Sequence, residues 1–230
     1  MFRFFISFFL FCLTNAGGAS PANFSQAKKI AGEVFAQHPM TIYCGCAFRG
    51  KHIDLASCGM SDALMKKRAH QLEWEHIVAA EHFGQQFECW RKPLCSKNGK
   101  PYKGRACCQK IEPRFKEMEA ELYNLWPEVG VINQARSNYR FGMVSSSEQQ
   151  FGCNIKIDKK NRRVEPSDTA KGIVARAYLF MEQRYHLKLS DSQKRIFIVW
   201  HQQFPPSEWE ITWAQEVAQI EGYKNAYILG

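Results

Sequence analysis

Residues 72–78 read LEWEHIV, and this stretch sets two acids and a histidine among apolar neighbours. Charged groups near a protein core are costly unless they are paired or bound to a metal ion. On an extended chain, Glu75 and His76 would also point to opposite faces. If both side chains serve one site, we therefore expect a bend or a strand end at this point. Alone, the pair is weak evidence, because a single histidine is more often structural than catalytic.

Outward from this stretch, the spacing of apolar residues predicts helices and a few short strands. One helix is expected over residues 24–38, ending before Pro39, and a short strand over residues 40–48. Residues 152–165 alternate apolar and basic positions, which predicts a hairpin that turns at residues 158–161.

The remaining apolar patterns predict helices that serve as scaffold. One is expected from Phe115 to Trp126, with Glu119 beside its apolar stripe and therefore pointing inward. Three more are expected after Pro166, the first ending near Tyr185, and their starts carry capping signals at Ser167, Ser190 with Gln193, and Ser207 with Glu210. The unusual chemistry thus lies between about residues 73 and 140.

The amino terminus has the composition of a secretory signal peptide. Residues 1–20 read MFRFFISFFLFCLTNAGGAS, with one positive charge at Arg3, an apolar run, and small residues that suit cleavage after Ala16 or Ala19. The alternative is a membrane anchor, but the apolar run is shorter than the roughly 20 residues that span a bilayer. We expect a signal peptide over residues 1–19 and one domain over residues 20–230, because no linker or repeat divides the rest.

The cysteine content favours disulfide bonds. Without Cys12 of the leader, eight cysteines remain, and they are Cys44, Cys46, Cys58, Cys89, Cys95, Cys107, Cys108 and Cys153. An even set in an exported chain is typical of disulfides, although connectivity cannot be read from sequence. The alternative is a zinc site made by Cys44, Cys46, His52 and Cys58, but the spacing does not match the usual paired zinc motifs.

The chain is strongly basic. Lys and Arg total 31 against 22 Asp and Glu, a formal net charge of +9 that falls to +8 when Arg3 leaves with the leader. Such a protein attracts polyanions through a sequence-independent, salt-sensitive term. A merely soluble basic surface is the alternative that charge alone leaves open.

Five motifs in a fixed order resemble the bacterial endonuclease I family of periplasmic and secreted non-specific nucleases. They are EWEH at 73–76, CW at 89–90, GR at 104–105 with a cysteine three residues later, MEAEL and NL within 118–125, and N133 with RSNYRF at 136–141. Weaker similarity extends from the first helix to about Gly222. Several separate motifs in the same order argue against a chance match.

The resemblance implies an α+β fold, a single mixed and mostly helical domain that is disulfide-stapled around a ββα-metal nuclease core. In such a core a histidine on a strand faces an asparagine on a helix. The implied roles are Glu75 and Asn133 as ligands of one divalent cation (Mg²⁺, or another such as Mn²⁺), His76 as general base, Arg105 on the scissile phosphate, Glu119 as catalytic support, and Asn124 as further site support. In isolation, Asn133 would be assigned to a helix cap and Arg105 to a solvated loop.

These residue types suit phosphodiester hydrolysis. A neutral imidazole, with a reference pKa of about 6.5, can deprotonate water at neutral pH. A hard cation with oxygen ligands stabilises charge on the leaving oxygen, and a carboxylate plus an amide leaves positions open for water and phosphate. Arginine offers a planar fork of donors to phosphate oxygens.

The resemblance further implies the substrate, products and location. We expect an exported endonuclease that cuts DNA, with RNA left open, to 5′-phosphate ends, acting as a periplasmic or secreted monomer with no membrane attachment once the leader is removed. Candidate contacts to nucleic acid are Lys66, Lys67, Arg68, Arg136, Arg140, Lys156, Lys159, Lys160, Arg162 and Arg163. Phosphate contacts of this kind give affinity without sequence specificity.

Three departures from the family pattern stand out. Tyr123 replaces a usual histidine, and Ala79 replaces a usual proline. Residues 91–103 form a longer segment than the family's compact loop, and the region adds Cys95 and Cys107, for which we expect a local bridge. None of these residues carries the core reaction.

A second hypothesis belongs to a different functional class. The chain could be a cationic protein that coats nucleic acid without cutting it, but this gives Glu75, His76 and Asn133 no shared purpose. A thiol hydrolase is a weaker alternative, because disulfides would consume the nucleophile.

Overall fold

The computed structural model describes residues 20–145 and 149–230, so the expected signal peptide lies outside the described residues. The helices are α1 (Phe24–Val34), α2 (Ala80–Gly84), α3 (Glu88–Arg91), α4 (Arg105–Ile111), α5 (Pro113–Ala120), α6 (Gly130–Arg136), α7 (Asp168–Tyr185), α8 (Asp191–Gln203), α9 (Glu208–Glu221) and α10 (Ala226–Leu229). The strands are β1 (Phe48–Arg49), β2 (His52–Ile53), β3 (Leu72–His76), β4 (Cys95–Lys97), β5 (Lys100–Tyr102), β6 (Leu125–Val129), β7 (Arg140–Phe141), β8 (Lys156–Asp158) and β9 (Arg163–Glu165). The predicted mixed, mostly helical α+β domain is confirmed.

The centre of the fold is an antiparallel pair of strands followed directly by a helix. Strand β3 pairs with β6 so that Glu75 lies opposite Trp126 and His76 opposite Leu125. Helix α6 starts at the residue after β6, and it packs against both strands. His76 is the last residue of β3, which supplies the strand end that the sequence required. This is the expected ββα arrangement.

The three helices predicted after Pro166 form where the sequence signals placed them, with two differences in capping. Ser190 and Gln193 make the full capping box of α8. Ser207 caps the backbone N–H of Glu210, but the Glu210 side chain turns away from Ser207 to a buried pair with Arg176, at 2.5 and 2.6 Å. An unpaired buried guanidinium strongly destabilises the folded state. The Glu210 carboxylate therefore pairs with Arg176 and does not make the second bond of the capping box.

Ser167 precedes α7 as expected, but its side chain makes no capping bond. Its hydroxyl contacts that of Thr169 at 2.9 Å and lies 3.4 Å from the carbonyl oxygen of Tyr43. The helix start is therefore confirmed, whereas the capping role is not.

Two predicted elements differ in the structure. Residues 40–47 form a turn with a single bridge between Met40 and Ala47, because the Thr41 hydroxyl accepts from the backbone of Cys46 and closes the loop. Of the predicted strand, only Phe48 lies in one, as the first residue of β1. The predicted helix over 115–126 ends at Ala120. The chain then continues into β6, whose backbone partner is the distant strand β3.

The basic hairpin near residue 158 is confirmed. Strands β8 and β9 pair in antiparallel register, and the Asp158 carboxylate accepts from the backbone and side chain of Asn161 to close the turn. Strand β9 also pairs in parallel with β7, which follows α6. The hairpin is thus tied to the segment that leaves the central helix.

Four disulfides staple the described part of the chain, and the expected bridge between Cys95 and Cys107 is one of them. The others join Cys44 to Cys153, Cys46 to Cys58 and Cys89 to Cys108. The alternative zinc site is wrong, because its three cysteines are all disulfide-bonded. Among residues 20–145 and 149–230, no helix has the length and apolar character needed to cross a membrane.

Candidate functional site

The imidazole of His76 is held in one orientation by the backbone of α5. Its Nε2 lies 2.8 Å from the carbonyl oxygen of Glu119. Because a carbonyl can only accept, Nε2 carries the proton, and Nδ1 holds the free lone pair. No described residue forms a hydrogen bond with Nδ1. The imidazole is therefore set in the tautomer that a proton acceptor needs.

The surroundings of His76 favour its neutral form. The side chain is 7% exposed, and the Phe24 ring packs against it with the ring centroids 4.8 Å apart. Burial, followed by the positive charge of Arg105, lowers the pKa of His76 to about 3. The ring is thus uncharged at neutral pH.

Glu119 fulfils the sequence prediction that it points inward, and it anchors Arg105. Its carboxylate is 2% exposed and accepts from Arg105 Nε at 2.5 Å and from Gln109 Nε2 at 2.8 and 2.9 Å. The Arg105 side chain remains 42% exposed, and its guanidinium lies over the Phe24 ring. Held through Nε, the guanidinium keeps its two terminal amino groups for another oxygen partner.

Helix α6 presents two polar side chains to the acids of β3. Asn133 and Arg136 are one helical turn apart, so they share a face. Asn133 Nδ2 donates to Glu73 Oε2 at 3.1 Å, whereas Arg136 Nη1 lies 3.0 Å from Glu75 Oε1. Asn133 therefore lies within α6 and is not its cap, and its direct partner is Glu73.

Glu75 occupies a more enclosed position than Glu73. Its side chain is 3% exposed, and Oε1 also accepts from the Tyr43 hydroxyl at 2.8 Å. Burial raises the pKa of Glu75, while the charge of Arg136 and the Tyr43 hydroxyl oppose that shift. No described residue donates a hydrogen bond to Oε2. One oxygen of Glu75 is thus fixed by Tyr43 and Arg136, and the other has no donor among the described residues.

Asn124 fixes the backbone just beyond the site. It is fully buried, its Oδ1 accepts from the Val78 N–H at 2.7 Å, and its Nδ2 donates to the Val78 carbonyl at 3.1 Å. Both bonds hold the chain where it leaves β3. This contact supports the position of His76, two residues earlier.

An open cavity of about 840 Å³ lies beside part of this site. Its wall includes Lys28, Lys29, Glu73, Arg105 and Asn133, together with Phe24. Glu75 and His76 are not part of that wall, although Phe24 connects the cavity to His76. The cavity joins basic side chains to an acid and an amide, the mixture expected where a phosphate and a cation would meet.

The oxygen atoms present fit a hard divalent cation. Among the described residues, no three His, Cys, Asp or Glu side chains are grouped as metal ligands. Asn133 Oδ1 and Glu75 Oε2 each accept no hydrogen bond from a described residue, and an amide and a carboxylate oxygen are suitable ligands for Mg²⁺. The chemical types of these two oxygens are therefore compatible with a hard divalent cation.

The expected nucleic-acid contacts divide into exposed and paired groups. Lys66, Lys67, Lys159, Lys160 and Arg163 are exposed, as are Arg140 and Arg162, which hydrogen-bond to Gln193 and Asn138. Lys156 lies 3.5 Å from Glu165, and Arg68 is paired with Glu73. Arg136 needs correction, because it is 1% exposed and paired with Glu75, so its guanidinium cannot lie against a phosphate on the surface.

Sequence reasoning missed four residues at the site. Phe24, Lys28 and Lys29 were assigned to a packing helix, and Tyr43 to a strand, yet all four contact the site residues or line the cavity. The adjacent lysines of α1 gave no distinct signal, because polar residues are expected on the outer face of an amphipathic helix. Nothing local to Tyr43 marks it, since its partner Glu75 is 32 residues away.

Comparison with known proteins gives a consistent result. The family model described as endonuclease I matches residues 24–229. An extracellular deoxyribonuclease of Aeromonas hydrophila is 36% identical, with the match covering 99% of this chain and 98% of that protein. An endonuclease-1 of Buchnera aphidicola is 37% identical over 90% of this chain and 80% of its own length. A periplasmic deoxyribonuclease of Aeromonas hydrophila is 35% identical, over 89% and 84%.

Proposed function

The chain belongs to the endonuclease I family, and we propose that it is a divalent-cation-dependent endonuclease that hydrolyses DNA with little regard to sequence. Relatives that match nearly its whole length are named extracellular and periplasmic deoxyribonucleases. The chain is accordingly an endonuclease of the periplasm or the extracellular space. Cleavage to 5′-phosphate ends is a further part of the proposal, and RNA is left open as a second substrate.

The observation that carries this proposal is the fixed tautomer of His76. With Nε2 donating to the Glu119 carbonyl, Nδ1 is available to take a proton from an attacking water. The neighbouring Arg105 guanidinium can bind a non-bridging phosphate oxygen with its terminal amino groups, because Glu119 holds it through Nε. The two side chains, which both contact the Phe24 ring, thus supply a base and a phosphate contact.

Glu75 and Asn133 would hold the cation, with Mg²⁺ or Mn²⁺ as the chemically suited ions. When bound, it would neutralise charge that develops on the leaving oxygen. Asn133 contributes Oδ1 and Glu75 contributes Oε2, the two oxygens without donors among the described residues. Arg136 and Tyr43 fix the opposite oxygen of Glu75 and thereby orient the free one.

One experiment tests cation dependence, substrate and products together. Purified protein is incubated with matched DNA and RNA duplexes and single strands, in Mg²⁺ or in chelator, and the cut ends are tested for ligation and for labelling by a 5′ kinase. We expect DNA to be cleaved in Mg²⁺ and to stay intact in chelator. The cut ends should ligate without kinase treatment. A gel shift without cleavage in either condition would favour the alternative of a cationic binding protein.

A further inference from the structure

Three side chains form a continuous polar chain from the loop before β3 to helix α6. Arg68 Nε and Nη2 donate to the two oxygens of Glu73 at 2.6 and 2.8 Å, and Asn133 Nδ2 donates to Glu73 Oε2 at 3.1 Å. We propose that Glu73 is a positioning residue that turns the Asn133 amide so that its oxygen faces the cation. The inference rests on the proposed function, because it assigns Asn133 as a ligand.

The chemistry of the two groups determines the orientation of the amide. A carboxylate only accepts hydrogen bonds, so only the amino end of the Asn133 side chain can face Glu73. The oxygen end then points the other way, and no described residue donates to it. Without Glu73, rotation of the amide by half a turn would put a donor where a ligand oxygen is required.

Glu73 is itself held rigidly. Arg68 grips both of its oxygens, in the bidentate geometry that favours a fixed carboxylate. Helix α6 also begins unusually close to this pair, because a Cβ on Gly130 would lie 2.7 Å from the Arg68 carbonyl oxygen and 2.8 Å from Glu73 Oε1. The absence of a side chain at residue 130 therefore lets Asn133 reach Glu73.

The same contacts distinguish Glu73 from the proposed ligand Glu75. Both oxygens of Glu73 already accept from Arg68, and one accepts from Asn133 as well. In Glu75, by contrast, the described donors converge on Oε1 alone. Glu73 is thus placed to orient a ligand, and Glu75 to be one.

The test measures Mn²⁺ affinity without nucleic acid, by the loss of the free-ion electron paramagnetic resonance signal. Glu73→Gln keeps the shape of the side chain but can offer an amino group to Asn133 and so reverse its amide. Because partners that orient metal ligands are commonly worth 10–100-fold in affinity, we expect Glu73→Gln and Glu73→Ala to weaken Mn²⁺ binding by about 10-fold or more. Melting temperatures are measured in parallel.

A second substitution distinguishes a reversed Asn133 amide from a general structural disturbance of the site. In Glu73→Gln combined with Asn133→Asp, the glutamine amino group donates to the aspartate, and a carboxylate oxygen remains for the cation whichever way it turns. We expect the double variant to bind Mn²⁺ more tightly than Glu73→Gln alone. The matched control is Glu81→Gln, since Glu81 accepts from Asn138 in an equivalent Glu–Asn pair away from Asn133.

The outcomes separate the positioning role of Glu73 from the proposed cation dependence. Unchanged Mn²⁺ affinity in Glu73→Gln, in a chain whose wild type binds the ion, overturns the positioning role and leaves the proposed function intact. An equal loss in Glu81→Gln, or no recovery in the double variant, also overturns it. If the wild type binds no Mn²⁺ or Mg²⁺, the proposed cation dependence itself fails.

An independent observation concerns the hairpin of β4 and β5, residues 95–102, and Lys103 after it, together called here the stapled hairpin. Residues 89–111 contain seven Lys and Arg and no Asp or Glu. Lys97, Lys100 and Lys103 are exposed, and no described acid forms an ion pair with any of them. The hairpin is fixed to helix α4 by the disulfide between Cys95 and Cys107.

The tip of the stapled hairpin places like charges together. Lys97 and Lys100 are register partners on either side of a two-residue turn whose residues, Asn98 and Gly99, have φ of 51° and 73°. Directly opposed like charges destabilise a strand pair, so folding alone gives no reason for them. A polyanion lying across the tip would convert the repulsion into attraction.

We propose that the stapled hairpin is a second contact surface for the phosphate backbone of DNA, on the Arg105 side of the site. Lys103 is two residues from Arg105, which starts α4 and lines the cavity. A polynucleotide bound at Arg105 would therefore extend toward the lysines. This inference also rests on the proposed function, since it names a surface for its substrate.

The salt dependence of binding tests this surface. The affinity for a short DNA duplex is measured in chelator at several salt concentrations. The inactive His76→Ala chain is compared with the same chain that also carries Lys97→Gln and Lys100→Gln. Each phosphate contact contributes about 0.9 to the slope of log affinity against log salt, so we expect the slope to fall by about 1.8. The matched control is Arg195→Gln with Lys224→Gln, an equal charge loss at two exposed residues outside the candidate nucleic-acid contacts and the cavity of Arg105.

An equal change of slope in both pairs of variants would show a general charge effect and overturn the hairpin surface. No change in the hairpin variant would overturn it as well. Absence of DNA binding by the His76→Ala chain would instead count against the proposed function.

Discussion

The Nε2 atom of His76 lies 2.8 Å from the backbone carbonyl oxygen of Glu119, while the Glu119 carboxylate holds Arg105. One residue of α5 therefore sets the tautomer of the proposed base with its backbone and positions the proposed phosphate contact with its side chain. The positions of both groups relative to a substrate depend on where α5 ends.

Arg105→Lys is expected to slow DNA cleavage substantially, although the charge is kept. Arginine can pair with Glu119 and contact a phosphate at the same time, because its planar guanidinium has several donors. The single ammonium of lysine can make one of these contacts but not both. We expect kcat/KM to fall by about 10- to 100-fold, with an unchanged melting temperature. The control is Arg91→Lys, an exposed arginine of the same basic segment. Equal activity of Arg105→Lys and wild type would contradict the phosphate role.

Glu75→Gln is expected to reduce stability as well as activity. It leaves the buried guanidinium of Arg136 without its charged partner, and such a loss costs about 3 kcal/mol or more of unfolding free energy. Urea denaturation monitored by tryptophan fluorescence would measure it. Glu182→Gln, which breaks the more exposed pair with Lys194, should lower the unfolding free energy much less, because solvent screens that pair. Equal small costs in the two variants would refute a structural role for the Glu75 pair.

Asn124→Ala is expected to loosen the chain after β3. It removes both bonds to Val78 and leaves a buried N–H and a buried carbonyl unsatisfied, each costing about 1–3 kcal/mol. Activity should fall because His76 lies two residues before Val78. Hydrogen exchange of the Val78 amide measures the effect directly, and continued protection of that amide in the variant would argue against the contact.

Stability should depend on pH through a buried pair of carboxyl groups outside the site. Burial, followed by the charge of Glu221, raises the pKa of Glu121 to about 7. The groups facing the pair are the hydroxyls of Tyr185 and Tyr223, the backbone N–H groups of Leu122 and Tyr123, Ser20 on the Glu221 carbonyl, and Arg184 near Glu221.

The direction of the effect follows from proton binding. Between about pH 4.5, the unfolded value, and pH 7 the folded protein holds the proton that the unfolded chain has lost, so this contribution to stability decreases as pH rises. Glu121→Gln mimics the protonated acid and should be more stable than wild type at pH 8 but not at pH 5. Melting temperatures across this range measure the difference. A difference that does not grow with pH would contradict the raised pKa.

Much of the site could be anticipated from sequence because its signals are local or belong to ordered motifs. Glu119 beside an apolar stripe is buried, the strand ends at His76, and the hairpin near residue 158 forms where its turn residues stand. The bridge of Cys95 with Cys107 was also expected, since both flank one short added segment.

The features that could not be predicted from the sequence depend on pairing between distant segments. Strand β6 contains Pro127, which argues against a strand, yet the two-stranded sheet has only edges, where proline is tolerated. Arg136 appeared to be a surface charge because its partner Glu75 lies 61 residues away in the chain. The role of Glu73 was hidden for the same reason, since its bond to Asn133 forms only when α6 packs on β3.

The most direct test of the central claim compares DNA cleavage by wild type and by His76→Ala in Mg²⁺. Melting temperature and duplex affinity in chelator are measured on the same preparations. Because general base catalysis contributes about 10²–10⁴-fold, we expect kcat/KM to fall by that factor while folding and DNA affinity stay unchanged. Cleavage by His76→Ala within a few-fold of wild type would contradict the assignment of His76 as the base.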